Sequence, residues 1–140
     1  MKYLILFFVS FNLLTNSVFA QKIHWMSLDE ARAAQKVNPK KIFMDVYTNW
    51  CGPCKLLEKN TFQNPDVSRY ISENYYAVKF NAEGTDEIKF YNQTFSNPNY
   101  DPNRKGRNAT HQFTQFLGVK GYPTMVRSEE HTSELQSPMY

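Results

Sequence analysis

The residues whose types and spacing best fit a chemical task are Cys51 and Cys54, in the run Trp50-Cys51-Gly52-Pro53-Cys54-Lys55, and they are the only cysteines in the 140 residues. An apolar run, Ile42 to Tyr47, precedes them and reads as a buried strand, while Lys55 to Asn60 reads as helix. A cysteine pair at a strand-to-helix turn is a redox site with a mechanism. The first sulfur lies at the helix N-terminus, where the partial positive charge of the free N–H groups favours a thiolate. The second lies one turn on, close enough to close a small disulfide ring. Pro53 is tolerated because an N–H in the first turn has no intrahelical acceptor, and Gly52 leaves the backbone open to a partner chain. Three other uses of the pair compete. Tetrahedral zinc wants four ligands, but His24 and His111 are far from the cysteines and have no paired spacing. A purely structural staple would close too short a loop to remove much chain entropy. A binding module could keep the site without turnover.

The elements around the pair follow from periodicity and caps. Ile23 to Met26 is a short apolar start that suits an edge strand. Ser27 with Glu30 three residues on is a capping box for a helix from Leu28 to about Val37, which Asn38-Pro39 ends. Lys41 to Tyr47 is the central strand. Pro65 to Glu73 reads as a helix with Val67, Tyr70 and Ile71 on one face, and Tyr75 to Phe80 as a strand in which Tyr76, Val78 and Phe80 alternate against Tyr75, Ala77 and Lys79. From Asn81 to Arg107 the pattern dissolves into turn chemistry, notably Asn97 to Asn103. So long an irregular connection is either a loop that touches the substrate or a surface insertion without consequence. Thr110 to Leu117 reads as a short helix capped by Asn108, with Phe113, Phe116 and Leu117 on one face and Gly118 at its end. Val119 to Val126 then enters another strand.

Bulk properties narrow the class. The length fits one domain plus trimmed ends, and the formal charge is +3. No basic run marks a nucleic-acid face; the nearest, Arg104-Lys105-Gly106-Arg107, reads as a solvated loop. Residues 1–20 read as a signal peptide: Lys2, an apolar stretch from Tyr3, and Val18-Phe19-Ala20 before a cut at Gln21. The stretch is shorter than the roughly 18 apolar residues of a membrane anchor, which is the alternative. The mature chain is therefore expected in an oxidising, exported compartment, the periplasm if the source has an outer membrane.

Cys-Gly-Pro-Cys after a strand, Asp45 six residues before Cys51, and Tyr122-Pro123-Thr124 ahead of a strand, in that order, resemble the thioredoxin superfamily over roughly Ile23 to Val126. The chain looks most like its exported members. The resemblance implies an α/β fold of three layers with a central mixed sheet. It implies a protein-disulfide oxidoreductase in which Cys51 is the exposed nucleophile, Cys54 the resolving thiol and Asp45 a buried proton acceptor for it. Trp50 would shield the sulfurs, and Pro123, in cis, would hold the backbone of Tyr122 beside Cys51 to pair with an extended substrate. Substrate binding thus falls to Trp50, Gly52, Pro53, Tyr122 and Pro123, with no cofactor and no metal. The bland alternative for Asp45 is a strand carboxylate that meets Lys79. Partners would be protein disulfides and, for a reductant, a membrane or periplasmic thiol electron donor. The reducing direction fits Cys-Gly-Pro-Cys; an oxidant that introduces disulfides and a non-catalytic binding module are the alternatives.

The resemblance stops at Val126. Residues 21–126 form the expected domain, incomplete at its C-terminus. Residues 127–140 read as a non-native tail, because Arg127 to Ser137 looks like an in-frame translation of a sequencing adapter and the change falls in mid-strand. A real polar, disordered tail is the alternative.

Overall fold

The structure is a computed structural model that describes residues 22–128. The expected signal peptide lies outside the described residues, as do residues 129–140 of the tail. The elements run β1 (Trp25–Met26), α1 (Leu28–Val37), β2 (Lys41–Tyr47), α2 (Gly52–Leu57) continued by a π-helical segment (Glu58–Phe62), α3 (Pro65–Asn74), β3 (Tyr75–Asn81), β4 (Ile88–Phe90), β5 (Gln93–Phe95), α4 (Gln112–Phe116) and β6 (Thr124–Arg127).

Local chemistry explains most of these boundaries. The Ser27 side chain accepts the Glu30 N–H while the Glu30 carboxylate accepts the Ser27 N–H, which starts α1. Asn64 caps α3 through the N–H groups of Asp66 and Val67, and Pro65 occupies the position where its missing N–H costs nothing. Gly118, at φ +68°, takes the left-handed conformation just after α4.

The main sheet has the order β1-β3-β2-β6, with β1, β3 and β2 parallel and β6 antiparallel to β2. Alternation in β2 and β3 sends side chains to two covered faces. Ile42, Met44 and Val46 join Val78 and Phe80 against Leu28 and Ala31 of α1, the rings of Phe90 and Phe95, and Phe113 of α4. Phe113 anchors that side, with Phe80, Phe90 and Phe95 at ring-centroid distances of 5.5, 5.6 and 5.3 Å. On the opposite face Ala77 packs with Phe62 and Ile71, flanked by Trp25, Phe43, Leu57 and Val67. Helices on both sides of a mixed sheet make the expected three layers.

Four local expectations need correction. The 81–107 connection is not wholly irregular: β4 and β5 pair as an antiparallel hairpin. Its two-residue turn, Tyr91-Asn92, has φ of 47° and 58°, the conformation that hairpin twist favours. Strands of three residues are too short for alternation to reveal, and Ile88, Phe90 and Phe95 are recruited by the core rather than by local pattern. Second, His111 caps α4, its Nδ1 accepting the Phe113 N–H at 3.0 Å, while Asn108 is engaged elsewhere. Third, the apolar faces read for α3 and α4 are only partly covered: Tyr70 and about half of Phe116 remain exposed, although Phe116 still packs against Phe113. Fourth, the sheet does not stop at Val126: β6 includes Arg127, and Ser128 donates its N–H to the Ile42 carbonyl while its Oγ accepts the Ile42 N–H.

Candidate active site

β2 delivers the chain to the cysteines, and α2 starts between them. Cys51 is the N-cap of α2, and its Sγ accepts the Cys54 N–H at 3.1 Å. Cys51 and Cys54 are joined as a disulfide, with Cα atoms 5.3 Å apart. In that state Cys51 is not the exposed thiol expected. It is 2% exposed and Cys54 7%, because the bond folds the first sulfur back onto the helix N-terminus. What faces solvent is Gly52 and Pro53. Reduction would free the Cys51 sulfur beside N–H groups that stabilise negative charge.

Trp50, next to Cys51 in the chain, packs on Tyr122. Their rings meet edge to face at 5.9 Å, and the Tyr122–Pro123 peptide bond is cis, as expected. Both residues are half-buried. Burial, with the nearby Glu83 charge, pushes the Tyr122 phenol above its ordinary range.

Asp45 lies on the α2 face of β2, directly across from Lys79 of β3. It is 3% exposed, and its Oδ1 has no hydrogen-bond partner among the described residues. Burial raises the carboxyl from 3.8 to about 6; the Lys79 charge pulls down against this and Glu58 pushes up. Asp45 and Cys54 line one cleft of about 770 Å³, together with Tyr47, Thr48, Glu58 and Lys79. The bland reading of Asp45 also has some support, since Lys79 is its neighbour in register. The Lys79 ammonium, however, is paired with Glu58. It also lies over the rings of Trp25 and Tyr47, at 5.1 and 5.4 Å.

Three residues at this site escape a reading by motif. Glu58 lies one helical turn beyond Cys54, a spacing that could have placed it on the same face. Glu83 Oε2 accepts the Trp50 Nε1–H at 2.9 Å, and the Arg107 guanidinium lies over the Trp50 ring, 4.2 Å from its centroid. Nothing in the sequence signals the last two, because both reach Trp50 only through the folded connection after β3. Among the described residues no group of three or more His, Cys, Asp or Glu is placed to hold a metal ion, and no helix is long and apolar enough to cross a membrane.

A sequence model for a thioredoxin-like domain matches residues 28–136. The chain belongs to the thioredoxin-like family. Thiol:disulfide interchange protein DsbD of Klebsiella pneumoniae is 45% identical over 44 residues, which is 31% of this chain and 7% of that protein. DsbD of Photorhabdus laumondii is 25% identical over 117 residues, 84% of this chain and 16% of that protein. This thioredoxin-like chain thus spans only a small part of these relatives. Among solved structures, a Thermus thermophilus thioredoxin superposes with TM-score 0.58 at 13% identity, covering 85% of this chain and 75% of that one. DsbH oxidoreductase superposes with TM-score 0.59 at 15% identity, covering 89% and 77%. At these identities the superpositions bear on the fold alone, which is thioredoxin-like.

Proposed function

We propose that this protein is a protein-disulfide oxidoreductase that exchanges thiols and disulfides with exported polypeptides, acting as reductant. The observation that carries the reading is the Cys51–Cys54 disulfide at the start of α2, with the buried Asp45 carboxyl lining the same cleft as Cys54. The names of its relatives, thiol:disulfide interchange proteins, support the same chemistry.

In the dithiol form, the Cys51 thiolate attacks one sulfur of a substrate disulfide. That S–S bond breaks, a mixed disulfide forms, and the departing sulfur leaves as thiolate and takes up a proton. Cys54 then attacks Cys51 Sγ, its own proton passing to Asp45, directly or through water. The second substrate thiol is released, and two electrons have passed from the Cys51/Cys54 dithiol to the substrate. Trp50, Gly52, Pro53 and Tyr122 supply the docking surface, and the cis bond at Pro123 presents the Tyr122 backbone to an extended segment. Residues 1–20 act as the export signal, to the periplasm in a bacterium with an outer membrane. A membrane or periplasmic thiol donor restores the dithiol.

Cys54→Ala tests the reading, because removing the resolving thiol strands Cys51 in mixed disulfides. The variant is expected to accumulate reducible adducts with exported proteins that wild type does not. If it captures nothing while wild type binds the same proteins without covalent linkage, the chain is a binding module.

A further inference from the structure

The run Arg104-Lys105-Gly106-Arg107, a solvated loop by sequence, lies at the rim of the cysteine site. Asn108 closes the base of this loop: its Oδ1 accepts the Asp101 N–H at 2.9 Å and its Nδ2 donates to the Asp101 carbonyl at 2.7 Å. Gly106, at φ +86°, makes the reversal that brings Arg107 back. The Asn108 N–H donates to Glu83 Oε2 at 2.8 Å, the same oxygen that accepts the Trp50 indole N–H at 2.9 Å. One carboxylate oxygen therefore fixes both the loop and the ring next to Cys51. Arg107 lies 4.2 Å over that ring, and Arg104 lines with Asn49 and Trp50 a cleft of about 550 Å³ beside it.

Arg104, Lys105 and Arg107 are exposed, and none has an ion-pair partner among the described residues. Three acids lie nearby, but the Glu83 carboxylate is turned to the Trp50 and Asn108 N–H groups, and neither Asp86 nor Asp101 is paired with these cations. The Arg107 guanidinium, exposed above the Trp50 ring and without an ion-pair partner among the described residues, has N–H groups available to a carboxylate.

We propose that Arg107, seconded by Arg104 and Lys105, is a specificity-determining residue that selects substrate segments carrying Asp or Glu beside the disulfide. This rests on the exchange reading above and adds the substrate class.

The test uses the full chain in its dithiol form and three disulfide-linked peptides that differ only in whether acidic, neutral or basic residues flank the cystine. Single-turnover oxidation of the protein by each peptide is followed by Trp50 fluorescence. Wild type is expected to favour the acidic over the neutral peptide by about tenfold, through the half-saturating concentration rather than the limiting rate, and to lose the preference in high salt. Arg107→Ala should reduce the preference to about twofold or less, with the acidic peptide losing more than the neutral one, and Arg107→Lys should keep part of it. Equal slowing of all three peptides by Arg107→Ala would make Arg107 only a prop for Trp50 and overturn the proposal. An unchanged preference, or none in wild type, would overturn it as well. Failure of wild type to react with any peptide would instead remove the exchange reading, and this inference with it.

Discussion

Burying the Asp45 carboxyl sets stability against chemistry at a single residue. Its pKa in the folded protein, about 6, exceeds the ordinary 3.8, so the folded state holds the proton more tightly than the unfolded chain does. The associated stability is present below pH 3.8 and is lost as pH rises through about 6. Asp45→Asn removes that cost, and the variant should be more stable than wild type at pH 7 by up to about 3 kcal/mol. It should also exchange more slowly, because Cys54 loses its proton acceptor. Urea unfolding and single-turnover rates check both; a destabilised variant would mean that the carboxylate is held by bonds rather than merely buried. Glu58 tunes the same group. Its charge pushes the Asp45 pKa up, and it engages the Lys79 ammonium that would otherwise pull it down. Glu58→Gln should therefore move the pH midpoint of the resolving step below about 6. A rate profile that does not shift would show that Glu58 acts only on Lys79. Asp45 was legible through the family resemblance, which singles out the carboxylate six residues before Cys51; by itself a lone acid in an apolar strand carries no such role. Glu58 was not singled out in the sequence, since its effect depends on Lys79 from another strand.

At the scale of elements, the legible parts are those whose signals are local. The capping box of α1, the start of α3 at Pro65 and the alternation in β3 each rest on signals within a few residues, and all appear where the spacing puts them. The connection after β3 was less readable because its order comes from tertiary partners. His111 is the clearest case. Fully buried, it accepts the Phe113 N–H with Nδ1 and meets the Asp86 carbonyl through Nε2 at 2.7 Å, so it must be the Nε2–H tautomer donating to that carbonyl. Its ring also packs edge-on against Phe80 at 5.3 Å. One side chain thus starts α4 and holds the connection at Asp86. His111→Ala would leave a cavity, an uncapped helix and a carbonyl without its donor, and should cost about 2–4 kcal/mol. Chemical denaturation measures the loss, and amide exchange should locate the loosening in residues 84–111. A loss under about 1 kcal/mol would mean that the core around Phe113 orders this connection without the histidine.

For the molecule as a whole, the direction of electron flow becomes a question about stability. The disulfide spans only Cys51 to Cys54, so it removes little chain entropy from the unfolded state. Any difference in stability between oxidised and reduced forms must then come from how the folded site treats the two thiols. Two features act in opposite senses. The N-terminus of α2 favours a Cys51 thiolate and so stabilises the reduced form. The buried Asp45 disfavours a second negative charge at Cys54, which makes the disulfide the easier state to accommodate. Thermodynamic linkage turns the balance into a potential: each ~30 mV between the folded pair and the same pair in the unfolded chain appears as ~1.4 kcal/mol between the two unfolding free energies. The reductant reading requires the Asp45 side to win. The oxidised protein should therefore be the more stable form, by about 1.4 kcal/mol or more, in paired urea titrations with and without reductant. The potential, followed by Trp50 fluorescence in thiol buffers, should lie nearer the thioredoxin value of about −270 mV than the −120 mV or so of a disulfide-introducing oxidant. A reduced form that outlasts the oxidised one in urea would reverse the assignment, since the helix terminus would then dominate and the pair would give up its disulfide to substrates. Asp45→Asn separates the two causes. It should narrow the stability gap by stabilising the reduced form and raise the potential by the matching amount, whereas a gap that ignores Asp45 would place the control of potential at the helix terminus alone.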